Sequence, residues 1–140
     1  MSSELMRREI GEAIAAGERS LESLRAAKEK LNSAKNWGIV DLFGGGFFTD
    51  LIKHSKMNDA SACIKAAQRD FEIFQRELAD VTVPLDLKME VNGFLSFADF
   101  FFDGLIADYL VQSKIADARK QVEEAMERVE EMLIQLKGLY

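Results

Sequence analysis

Three stretches of this chain repeat apolar or small residues at alternating spacings of three and four, which places one stripe along the side of a helix and commits most of the sequence to long amphipathic helices. The first stripe falls at Ile10, Ile14, Gly17, Leu21, Leu24 and Leu31, interrupted once by Lys28. Ser2 or Ser3 can cap its start, Glu4, Glu9 and Glu12 suit the positive end of the helix dipole, and Gly38 can end it, so the spacing predicts a helix over 4–36. The second stripe, Ala60, Ile64, Ala67, Phe71, Phe74, Leu78 and Val81, predicts a helix over 56–80. The third, Ile115, Ala118, Val122, Ala125, Val129, Met132 and Leu136, predicts one over 114–137, with a glutamate-rich solvated back. A helix of about 33 residues is roughly 50 Å long, more than the width of a compact globule of this size, so an elongated molecule is expected.

Between residues 81 and 91 the period changes to two: Val81, Val83, Leu85, Leu87, Met89 and Val91 alternate with polar residues and Pro84. That pattern reads as a strand, confined to an edge by Pro84, with Asn92-Gly93 as a turn after it. A helix beginning at Pro84 competes, because Leu87, Val91, Phe94 and Phe101 also share a helical stripe.

Sliding the sequence by 58 positions lays residues 41–81 over 99–139 without a gap, and eleven of the 41 pairs are identical. Average composition gives about three. Asp41/Asp99, Gly46/Gly104, Asp50/Asp108, Ser55/Ser113 and Asp59/Asp117 are among the matches, and none of these residue types is a helix former that compositional bias would align. An internal duplication is therefore expected, each copy a short aromatic helix (46–54 or 94–112) leading into a long amphipathic one. All ten Phe lie between residues 43 and 102, which predicts an aromatic head on a helical stalk.

The net charge of −6 is concentrated in the middle, where residues 39–113 hold twelve Asp/Glu against six Lys/Arg. Nucleic acids and anionic membrane surfaces both need clustered basic residues, so neither is an expected partner. Membrane insertion is disfavoured too: the most apolar segment, Phe94–Val111, is broken by Asp99, Asp103 and Asp108. A single Cys63 excludes an intramolecular disulfide, and the charged start of the chain carries no secretory signal, which together point to a cytoplasmic setting.

Two groups of residues suggest chemistry. Phe43-Gly44-Gly45-Gly46-Phe47, leading into a helix that carries Lys53, can present backbone N–H groups to an anion, although it lacks nucleotide-loop spacing. The plainer reading is a tight turn between helices. Asp50 and His54 share a helical face, and their repeat partners are Asp108 and Gln112. If the copies converge, Asp50, His54 and Asp108 can hold a divalent cation, or Asp50 can act as a general base; otherwise these groups only satisfy local donors. Ser55 and Ser113 read as caps of the long helices. Nothing calls for a cofactor.

The segment from Phe94 to Tyr109 is apolar around more of its circumference than one core contact needs. Phe94, Phe97, Phe100, Phe101 and Phe102 are therefore the expected interaction surface, covered by a second protomer or by a partner helix.

Trp37-Gly38, the Phe-Gly-Gly-Gly run at 43–46, Lys53-His54-Ser55-Lys56 and the run from Phe97 to Leu105 together resemble a group of bacterial helical proteins without assigned activity. The likeness covers residues 37–115 and implies a bacterial cytoplasmic setting, with no mechanism. The expectation is one all-α domain over residues 1–140, an antiparallel bundle of three long helices with two short aromatic helices at one end. Its expected role is that of a non-enzymatic interaction or scaffold protein, a homodimer. A ligand or metal site under the Gly-rich loop is the rival.

Overall fold

The first stripe forms a helix longer than its caps suggested. In the computed structural model, which describes the backbone of residues 3–44, 47–112 and 114–140 and the side chains of 4–32, 59–109, 111, 112 and 114–140, α1 runs Ser3–Gly44. It passes through Gly38 without ending. Then come α2 (Phe47–Asp80), α3 (Leu85–Ile106), a π-helical turn (Ala107–Val111) and α4 (Ile115–Leu139). The fold is an all-α bundle, and the described residues contain no strand.

The edge strand expected at 81–91 is not formed. Residues 81–84 are irregular, Pro84 caps α3, and Lys88 N–H donates to the Pro84 carbonyl at 2.9 Å. Proline suits a helix start because its missing N–H has no partner there, and Asp86 favours the positive end of the dipole. Helix wins over alternation because it buries Leu87, Val91, Phe94, Ala98, Phe101, Phe102 and Leu105 on one side, a stripe far longer than the two-residue pattern supports. Asn92-Gly93 is helix interior rather than a turn.

Paired contacts give the helix directions. Glu18 meets Lys137 at 3.0 Å, Arg25 meets Glu130 at 4.0 Å, Lys28 meets Glu123 at 3.6 Å, and Arg119 donates to Asn32 at 3.1 Å, so α1 and α4 are antiparallel. Ser23 donates to Asp70 and Gly17 lies against the Phe74 ring, which together place α2 antiparallel to α1. These exposed ion pairs are worth about 0–1 kcal/mol each and fix register more than stability. The core holds the helices together: Leu24, Leu31, Ile64, Phe71, Phe74, Leu78, Val122, Val129 and Leu136 all lie sealed within it. Ser20 sits there too, its Oγ without a hydrogen-bond partner.

The expected short helix at 46–54 is not separate, because residues 47–54 continue unbroken into α2. Ser55 therefore lies inside a helix rather than at its start; Ser113 lies outside the described residues, and α4 starts at Lys114 with no side-chain cap. Under the 58-residue shift Gln112 and Lys114, which lie outside helix, correspond to His54 and Lys56 inside α2.

Candidate interaction surface

The aromatic residues expected to face outward divide between two environments. Phe94, Phe101 and Phe102 are buried and belong to the core, which corrects their assignment to a surface. Phe71 on α2 is their hub, with ring centroids 5.4 Å from Phe94, 5.7 Å from Phe101 and 5.2 Å from Phe102. Phe97 is half-buried beneath the Arg128 guanidinium, which stands 4.3 Å from its ring centroid and also pairs with Glu124 at 3.5 Å. Phe100 alone of the five is open to solvent, at 75% exposure.

The reason is rotational position. The buried residues of α3 hold one side of the helix, and Phe100 lies on the opposite side with Leu85 (76% exposed) and Met89 (70%). Gly93, Ser96 and Gly104 share that outer side at the same three-or-four spacing. A Cβ placed on Gly93 or Gly104 would meet nothing within 4 Å. Helix α3 therefore presents two ridges, Leu85-Met89-Gly93 and Ser96-Phe100-Gly104, flanked by exposed Lys88, Asp99 and Asp103. Sequence reading missed this ridge because it ranked residues by aromaticity, although the i, i+4 spacing was available.

Beside this face, α3 and α4 enclose a cleft of about 330 Å³ lined partly by Glu90, Gly93, Arg128, Glu131 and Gln135. It continues past Glu90 and Gln135 toward Pro84 and Leu139. Its lining holds the carboxylates of Glu90 and Glu131 and the Arg128 guanidinium, with no serine, threonine, cysteine or histidine among the described residues.

Of the residues expected to bind a cation, Asp108 lies in the π-helical turn, partly buried, and accepts a hydrogen bond from Gln121. Gly44 is the last residue of α1, while Gly45, Gly46 and the side chains of Asp50, Lys53 and His54 lie outside the described residues, as does any convergence with Asp108. Among the described residues no three His, Cys, Asp or Glu side chains are placed to hold a metal, and no helix is long and apolar enough to cross a membrane.

Next to Asp108, Tyr109 is fully buried, and desolvation pushes its phenol from about 10 up to about 12. The fold favours the protonated phenol, so its contribution is complete below about pH 10 and is lost as pH rises toward 12. Between about pH 9 and pH 11 the wild type should lose about 1 kcal/mol more stability than Tyr109→Phe, measured by urea unfolding of both proteins at each pH. Parallel pH profiles would show that the phenol is not held in its neutral form.

Comparison with known proteins found no matching family model, no similar curated protein and no similar solved structure.

Proposed function

We propose that this chain is a non-enzymatic helical interaction or scaffold protein that works as a homodimer in a reducing bacterial cytoplasm, where Cys63 stays a free thiol. One observation carries the reading: α3 buries a full apolar face in its own core and still presents Leu85, Met89 and Phe100 to solvent on the other. A chain has little reason to keep three large apolar side chains aligned on an exposed helix unless another surface covers them. The cavities among the described residues are open clefts, and the carboxylate of Asp108 is engaged by Gln121. The rival ligand or metal site falls mostly on residues outside the described ones.

Light scattering on the purified protein tests the proposal. A mass of twice the 15.8 kDa chain at micromolar concentration is the expected result. A monodisperse monomer across that range would sink it.

A further inference from the structure

We infer that α3 of one copy packs against α3 of a second copy in antiparallel register, with the two-fold axis at the level of residues 94 and 95. This rests on the proposed self-association and assigns it a surface. In that register Leu85 lies level with Gly104 of the second copy, Met89 with Phe100, and Gly93 with Ser96. Each large exposed side chain meets either a glycine or one complementary large group. A parallel pairing instead stacks Phe100 on Phe100 and leaves the glycines facing each other across gaps.

Two further observations support the match. Gly93 and Gly104 are interior helix positions with open space around them, where alanine would serve the helix better by about 1 kcal/mol. Among the described residues nothing approaches either glycine closely, so the space they leave is available to a second backbone. Charge also agrees. Lys88 is exposed, and an antiparallel two-fold places it between Asp99 and Asp103 of the second copy, on the matching flank. The symmetry repeats that contact twice per interface. A single helix crossing buries less than the roughly 800 Å² per partner of a standard interface, so a micromolar dimer is expected.

The experiment uses the full chain in a Cys63→Ser background, with a short bis-maleimide as cross-linker. Ser96→Cys should cross-link, since its two copies sit within about one helical turn along the axis. Leu85→Cys should not, because its copies lie roughly 28 Å apart. Phe100→Asp should weaken dimerisation about 100-fold by sedimentation with an unchanged circular dichroism spectrum. Gly93→Ala should raise the melting temperature of the monomer while weakening association about tenfold. A dimer that ignores Phe100→Asp and leaves Ser96→Cys unlinked overturns this surface while sparing self-association. Cross-linking through both cysteines overturns the antiparallel register. A wild-type monomer removes both this inference and the function on which it rests.

Discussion

Phe71→Ala should destabilise this protein by about 3–5 kcal/mol, the usual cost of removing a fully buried phenylalanine. The Phe71 ring is sealed from solvent and within 5.7 Å, centroid to centroid, of three rings on α3. Its loss therefore opens a cavity at the α2–α3 interface and removes three aromatic contacts together. Among the described rings of α3, Phe74 reaches Phe94 alone, at 5.4 Å, so it cannot replace the contacts that Phe71 makes to Phe101 and Phe102. At roughly 3 °C per kcal/mol for a chain of this size, the melting temperature should fall by about 10–15 °C. Phe100→Ala, on the same helix but facing solvent, should change monomer unfolding by less than about 1 kcal/mol. Thermal melts of the two variants at low concentration decide the point. Equal losses would mean that α3 is not docked through the Phe71 hub.

Gly17→Leu should cost about 3 kcal/mol despite the better helix propensity of leucine, because overpacking at this position outweighs the gain of up to about 1 kcal/mol in the helix backbone. A Cβ on Gly17 would stand 2.7 Å from Leu133 Cδ2 and 2.9 Å from the Phe74 ring, closer than packed atoms tolerate. Here α1 meets α2 and α4 together, so a side chain on α1 must displace both neighbours. Gly138→Ala provides the contrast: nothing lies within 4 Å of that Cβ, and the substitution should be neutral or stabilising by up to about 1 kcal/mol. Urea unfolding of both variants measures the opposite signs. A Gly17→Leu protein as stable as wild type would show that α1 has room to move away from Leu133 and Phe74.

These two sites connect stability to the proposed function. Phe71 fixes α3 to the bundle through one face of that helix, and only a helix fixed in this way presents Leu85, Met89 and Phe100 as one continuous outer surface. Phe71→Ala is therefore also expected to weaken self-association, though it touches no outer residue.

The helical class, the three long stripes and most of their buried residues were legible in the sequence, because burial along an amphipathic helix repeats every three or four residues wherever that helix packs. Ile64, Ala67, Phe71, Phe74 and Leu78 were read from spacing alone and are core residues. Tertiary structure decided the rest. Residues 85–91 satisfy a period of two and a helical period equally over so short a window, and only the Phe71 hub and the facing side of α4 make the helix the lower free-energy choice. Which phenylalanines face outward was likewise undecided: consecutive helical residues point about 100° apart, so Phe100, Phe101 and Phe102 span about 200° and cannot all three face the core, and the neighbouring helices select which one is left in water.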